Sequence, residues 1–553
     1  MALAIKKLPT PTAGKGTSSD SRKILAEEVS HEFVFAIVGH VGSGNTTVAE
    51  ALREVLGQQK IDATPFKVAI IKARTVIDEG MARLGTQITV AKEKLLSDVR
   101  QYQDAGDKLR EKDHAAVARG AVSLIRKQRA AMQGTTVERE KPVLPDGKPR
   151  AFIVDSIRHP AEVGLLKRIY GDAFVLIGVV CETEERRRRI SKKYSDAGEK
   201  AAEAFMKRDA KASEKNGQRV SDAFHLSDFF VDNTAQRILN DNRSSNPEWK
   251  VTEDLERLIQ LVTHSTIARP TTAESAMHAA AGAAMRSACM SRQVGAALVD
   301  ADGNLVATGT NEAPKAGGGV YEQGFDDVEN HHDHRCAFDN RYCSNTQEQN
   351  TIAKDILVDL FGEDDERVID KTQHSELLNK LRNGRIGDLL EFSRAVHAEM
   401  DALLSAGRKG TTTIGSRLFV TTFPCHYCAR HIVSAGVDEV QFIEPYPKSQ
   451  ALLLHKDSIQ FEKGLKPWLR PSDKAAQNER RPAAESNEPR VLFRPFTGVA
   501  PRMYRRAFQK DRELKNKLTG LLQVQEPEWG APYDLFRKSY AELEAALTKD
   551  TPE

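Results

Sequence analysis

From Phe33 to Val38 every residue is apolar (Phe33-Val34-Phe35-Ala36-Ile37-Val38), a run too short for a core helix and the right length for a strand buried on both faces. Gly39-His40-Val41-Gly42-Ser43-Gly44-Asn45-Thr46-Thr47 follows, and Val48 to Leu56 then predicts a helix. Strand, glycine-rich loop and helix together turn backbone N–H groups and a helix N-terminus toward an anion, which is how a phosphate is cradled. Ala151 to Asp155 and Phe174 to Val180 predict two further buried strands. Strands alternating with helices predict a parallel α/β sheet over 30–265. Residues 186–220 are dense in charge and predict an exposed lid or helical hairpin.

Beyond Pro270 the pattern changes. Ala273 to Ser291 predicts a helix of small residues; Val294–Val299 and Leu305–Gly309 predict strands joined through Asp302-Gly303, a hairpin signal. A helix opens at His397 and runs to Ala406. Arg417–Thr422 predicts a strand, Ala429–Ala435 a helix and Val437–Ile443 another strand, so 270–470 reads as a second α/β/α unit with a mixed sheet. Residues 344–390 form a charged, mostly helical insertion. In the remainder, 471–553, the stretch 472–488 is rich in Pro, Ala, Ser and charge and predicts a flexible loop. Val491–Gly498 predicts an edge strand, and Leu514–Leu522 and Tyr533–Leu547 peripheral helices, all packing on the second unit.

Composition narrows the class. The 553 residues suffice for two or three domains, and no run of about 18 apolar residues offers a membrane span. Residues 1–29 are polar, lack the apolar core of a secretory signal, and predict a disordered leader. Six cysteines in so long a chain make no disulfide framework, which suits a reducing cytoplasm. A net charge of +3 does not by itself imply nucleic-acid binding.

The chemistry is concentrated in His397-Ala398-Glu399 and Pro424-Cys425-His426-Tyr427-Cys428. His397, Cys425 and Cys428 supply three zinc ligands and leave a fourth position for water, as catalytic zinc sites do. Glu399 is then the proton carrier. The spacing H-x-E…P-C-x-x-C matches the known zinc-deaminase signature. A structural zinc knuckle would close all four positions and leave Glu399 without a task. A C-x-x-C redox pair would leave His397 and Pro424 unexplained.

The second unit resembles the cytidine and deoxycytidylate deaminase family. The resemblance also rests on Ser291-Arg292-Gln293-Val294-Gly295-Ala296, Gly309-Thr310-Asn311-Glu312-Ala313-Pro314 and Tyr446-Pro447-Lys448-Ser449. It implies that Asn311 bonds the sugar, that Arg292 meets a phosphate unless it is a solvated turn residue, and that the protein is a homo-oligomer. The first unit resembles P-loop nucleoside monophosphate kinases through Gly39, Gly42, Ser43, Gly44, Asn45 and Thr46, through Asp155 to Glu162, and through Glu182 to Ile190. That resemblance implies a nucleoside triphosphate with Mg²⁺ near Thr46 and Asp155, and phosphates near Arg158, Arg186 and Arg189. Asn45 stands where the family's lysine belongs, which points to nucleotide binding or sensing rather than phosphoryl transfer; a vestigial scaffold is the alternative.

Together the two units resemble bacterial anti-phage dCTP deaminases. Such enzymes deplete deoxycytidine nucleotides by converting dCTP and dCMP to uracil nucleotides, in some systems under restraint by a small inhibitory RNA. A polynucleotide editor remains an alternative, but it needs a basic channel and stacking aromatics, and the flanks here have few of either. An RNA- or protein-docking role for the first unit, through Arg186-Arg187-Arg188-Arg189 and Lys192-Lys193, also remains open. His331-His332-Asp333-His334-Arg335-Cys336, with Cys343, reads either as a second, structural zinc site or as a polar lid over the pocket.

Overall fold

The computed structural model describes residues 30–548 apart from 62, 91–92, 94, 140, 213–215, 240–243, 323–332, 340, 363–370, 447, 463–489, 511–513 and 523–536. The expected leader and the expected 472–488 loop lie outside the described residues.

Among the described residues, fourteen strands are numbered in chain order. The first sheet contains β1 (Glu32–Val38), β4 (Lys67–Lys72), β5 (Arg150–Ile157), β6 (Phe174–Val180) and β7 (Phe229–Asp232), with β14 (Gly498–Val499) at one edge; the order is β14-β7-β6-β1-β5-β4. A short hairpin of β2 (Lys60–Ile61) and β3 (Thr64–Pro65) stands apart. All seven residues of β1 are buried, and β1 pairs in parallel with β5 and β6. A central parallel strand covered on both faces is the environment in which an unbroken apolar run is stable. The loop after β1 has Gly42 and Gly44 at φ 85° and 83°, and the helix Asn45–Gly57 starts directly from it. The charged stretch expected to be a lid or a helical hairpin is helical, over Thr183–Lys193, Glu199–Ala210 and Val220–Phe224.

The second sheet has the order β12-β13-β11-β10-β8-β9. Its strands are β8 (Gly295–Val299), β9 (Leu305–Thr310), β10 (Arg417–Thr422), β11 (Glu439–Glu444), β12 (Ile459–Phe461) and β13 (Val491–Pro495). β8 is antiparallel to β9 and β10, whereas β10, β11, β13 and β12 run parallel, so the sheet is mixed. The period of two sorts side chains between its faces. Ala296 and Leu298 of β8, with Leu418 and Val420 of β10, pack with the helix Ala398–Arg408. Ala297, Val299 and Phe419 turn the other way, toward the helix Thr272–Ala284, and join the hydrophobic core of the first unit. The two sheets therefore share a continuous core.

Four local readings are corrected. The small-residue helix ends at Ala284, not Ser291, because residues 285–294 turn away to form a pocket wall. β13 is not an edge strand: it lies between β11 and β12. Leu514–Leu522 is a turn bridged by Lys515 and Leu522, not a helix. The C-terminal extension does not pack on the second unit alone. β14 pairs with β7 of the first sheet, and the helix Arg537–Leu547 lies against the helices Ala116–Gln133 and Pro160–Tyr170. Its Glu544 accepts from Arg129 at 2.5 and 3.0 Å and from the Tyr170 hydroxyl at 2.7 Å, all fully buried. No helix among the described residues is long and apolar enough to cross a membrane.

Candidate active site

Two helix N-termini converge at one end of the second sheet. His397 is the residue that caps Ala398–Arg408, Cys425 caps His426–Ser434, and both have extended backbones. Cys428 and Glu399 lie in the first turns of these helices. Gly309 of β9 permits this arrangement, since a Cβ there would lie 2.0 Å from the Ala398 carbonyl oxygen. The sheet and the Glu399 helix can approach closely only with glycine at this point.

His397 Nδ1 is 3.3 Å from Cys425 Sγ and 3.4 Å from Cys428 Sγ, and the three ligating atoms lie within 4.8 Å of one another. A tetrahedral zinc about 2.3 Å from sulfur and about 2.0 Å from nitrogen sets S···N separations of about 3.5 Å. The donor set fits zinc in kind and in spacing. Glu399 is 4% exposed beside it. Burial, with the negative charge of Cys425 adding to it, pushes the Glu399 carboxyl up to about 7. Burial lowers the basicity of His397, but the hydrogen bond and charge of Cys425 outweigh it and bring His397 up to about 9. The Cys425 thiol is held down, first by the hydrogen bond to Cys428, and Cys428 is pushed up in return. These groups favour a cation in their midst. A pocket opens above them, with His397, Glu399 and Cys425 in its lining.

Residues 270–444 match the family model of the cytidine and deoxycytidylate deaminase zinc-binding region. Deoxycytidylate deaminase of Enterobacteria phage T2 is 28% identical over 169 residues, 30% of this chain and 75% of that protein. ComE operon protein 2 of Bacillus subtilis (strain 168) is 39% identical over 54 residues, 10% of this chain; the chain spans only 29% of that relative. A solved structure of dCMP deaminase from the cyanophage S-TIM5, in apo form, is 21% identical with a TM-score of 0.19, covering 34% of this chain and 94% of that one.

The remaining expected residues of the deaminase region fall in different places. Asn311 lines the pocket, 7% exposed, with its amide spanning two backbone groups: Oδ1 accepts from Val294 N and Nδ2 donates to Arg292 O, both at 2.7 Å. Arg292 also lines the pocket, paired with Glu444 at 3.2 Å and lying over the Tyr446 ring at 5.5 Å. His331 and His332 lie outside the described residues. His334 is 3.3 Å from Asp339 and does not line the pocket, whereas Cys336 and Cys343 do. Among the described residues, His397, Cys425 and Cys428 are the one group whose ligating atoms cluster.

Among the pocket residues that sequence reasoning did not single out, three carry polar or thiol chemistry close to the motif residues. Cys289 lines it beside Cys336 and Cys343. Buried Glu312 accepts from Ala288 N at 2.7 Å and Ala313 N at 2.9 Å, and so holds the wall formed by 285–294. Arg394, three residues before His397, lines it too. The adjacency of Glu312 to Asn311 was the one available signal.

In the first unit a second cavity is lined by Gly42, Gly44, Asn45, Thr46, Asp155, Arg158 and Arg189, but not by Gly39, Ser43 or Arg186. Thr46 Oγ1 donates to Asp155 Oδ2 at 2.8 Å. Asn45 Nδ2 turns back to the Gly39 carbonyl at 3.0 Å. Arg158 pairs with Asp209 at 2.8 Å. Arg189 donates to the carbonyls of Asn233 and Thr234, both at 2.9 Å, and so ties the lid helix to the loop region.

Proposed function

We propose that this chain is a zinc-dependent hydrolytic deaminase of deoxycytidine nucleotides, converting dCTP or dCMP to dUTP or dUMP and ammonia. The observation that carries the reading is the convergence of His397, Cys425 and Cys428 beside buried Glu399 in the lining of one pocket. Zinc held by these three residues supplies the Lewis acidity that makes water nucleophilic near neutral pH. Glu399 takes a proton from that water and delivers it to N3 of the cytosine as oxygen adds at C4. The same carboxyl then carries the second proton to the exocyclic amine, which leaves as ammonia. Buried beside the three ligands in the pocket lining, Glu399 is placed to accept a proton and return it. Asn311 keeps one amide hydrogen for a sugar hydroxyl, and Arg292 shares its charge between Glu444 and the pocket.

For the first unit we propose nucleotide binding without phosphoryl transfer. The Thr46–Asp155 pair is a hydroxyl and a carboxylate suited to the Mg²⁺ of a bound triphosphate. Asn45, turned back into its own loop, offers no ammonium to a transferred phosphoryl group. We further propose depletion of the deoxycytidine nucleotide pool during phage infection, by a homo-oligomer with a small inhibitory RNA as a partner; only the resemblance of the two units supports this.

The test is ammonia release with dCTP, dCMP, CTP, cytidine and single-stranded DNA in parallel, with Glu399→Ala as control. Conversion of dCTP or dCMP that vanishes in the control is the expected result. Conversion confined to DNA would replace this reading with polynucleotide editing.

A further inference from the structure

We propose that Arg394 is the residue that recognises the substrate phosphate, and that the 344–390 insertion exists in part to hold it over the pocket. The inference rests on the deamination reading and deepens it, since it assigns the preference for a nucleotide over a nucleoside to one side chain.

Arg394 lines the same pocket as His397, Glu399 and Cys425, and it is exposed. Among the described residues its guanidinium makes no ion pair and no side-chain hydrogen bond. The contrast with Arg292 is the deciding point. Arg292 lines this pocket as well, but its charge is met by Glu444 at 3.2 Å and its face lies over Tyr446. The pocket carboxylates are also engaged: Glu312 accepts two backbone N–H groups, and Glu399 is buried beside the zinc ligands. Of the two arginines lining the pocket, Arg394 is therefore the one without a counter-charge among the described residues. A guanidinium matches a phosphate by paired, charge-assisted hydrogen bonds.

The backbone around Arg394 is anchored on both sides. Asn345 and Gln349, from the helix Ser344–Phe361, each donate to the Leu389 carbonyl at 2.9 Å, and Phe392 N donates to Asn345 Oδ1 at 3.3 Å. On the other side Val396 and Glu312 exchange backbone hydrogen bonds of 3.0 and 3.2 Å. Arg394 lies on the short span between these anchors. Ser344, Asn345 and Ser393 line the pocket beside it and add hydroxyl and amide donors to the same wall. The first turn of the insertion helix thus fixes the backbone that carries the free guanidinium, three residues from the first metal ligand.

The experiment compares kcat/KM for dCMP and for deoxycytidine in the zinc-loaded wild type, Arg394→Ala and Arg394→Lys, with inhibition by dUMP and by deoxyuridine as a readout that needs no nucleoside turnover. We expect Arg394→Ala to lower the dCMP-to-deoxycytidine ratio about 10- to 100-fold and to weaken dUMP inhibition by a similar factor relative to deoxyuridine. Arg394→Lys should restore part of both, and zinc content should stay at the wild-type level. An active wild type whose ratio is unmoved by Arg394→Ala, or a variant that loses nucleoside and nucleotide equally, would overturn the assignment while leaving deamination intact. A wild type inactive on every free deoxycytidine compound would overturn both.

Discussion

Glu462, just past the edge strand β12, accepts a hydrogen bond from the backbone N–H of Thr183 at 2.8 Å. An acid of the second unit thereby caps the first turn of the helix that carries Arg186 and Arg189 in the first, where a carboxylate is favoured. The neighbouring Phe461 ring packs against Phe423, 6.0 Å between centroids, and Phe423 lines the deaminase pocket. Glu462→Ala removes an acceptor whose loss at a helix start costs about 1 kcal/mol. Hydrogen exchange should accelerate at Thr183 and the next turn while the β1 amides stay protected. Unchanged exchange at Thr183 would show that this contact does not hold the helix.

Glu399→Gln should lower turnover by at least about 10³-fold, because the amide can perform neither proton transfer. Metal analysis should still find the wild-type zinc content. Cys425→Ala and Cys428→Ala should lose zinc and thermal stability together, and a chelator should inactivate the wild type in a way that added zinc reverses. A Glu399→Gln protein without zinc would make the carboxylate a ligand rather than a proton carrier.

Arg129 joins Glu32 at 2.7 Å and Glu544 at 2.5 Å, with all three side chains buried. Removing Glu544 leaves Arg129 only Glu32 as counter-charge and takes the buried acceptor from two guanidinium nitrogens and the Tyr170 hydroxyl, so Glu544→Ala should cost about 3–5 kcal/mol in denaturant unfolding and should release the C-terminal helix to proteolysis. The double variant Arg129→Met, Glu544→Leu should recover much of that loss, since Glu32 keeps its second cation, Arg150, at 3.2 Å.

Asp254 is brought up to about 6, first by burial and then by the nearby Asp232 carboxylate. Its folded pKa is raised, so between about pH 4 and 6 the folded chain binds more protons than the unfolded one. Stability contributed by this site therefore falls as pH rises through that window, and the penalty persists at neutral pH. Asp254→Asn should stabilise the protein by about 1–2 kcal/mol at pH 8, and the gain should vanish near pH 4. A gain independent of pH would assign the effect to helix capping or packing.

What the sequence determined by itself was local. The apolar run of β1, the strand Arg417–Thr422 and the hairpin at Asp302-Gly303 are encoded in the residues that form them, because burial pattern and turn chemistry act over a few positions. The three candidate zinc ligands and Glu399 were legible for the same reason: each half is a short motif at a helix start. Only the tertiary structure decided what lies across long separations. In sequence Gly498 reads only as the end of the strand that starts at Val491; in the structure it and Val499 form a separate strand, β14, paired with β7 of the other sheet. Glu544 looks like any surface helix acid until Arg129, 415 residues away, is placed beside it. Arg394 differs from Arg292, the other arginine of the pocket lining, in having no ion-pair partner among the described residues. Hydrophobic periodicity says which face of an element is buried; which partner it meets, and which charge is left without one, depends on the packing of all the elements at once.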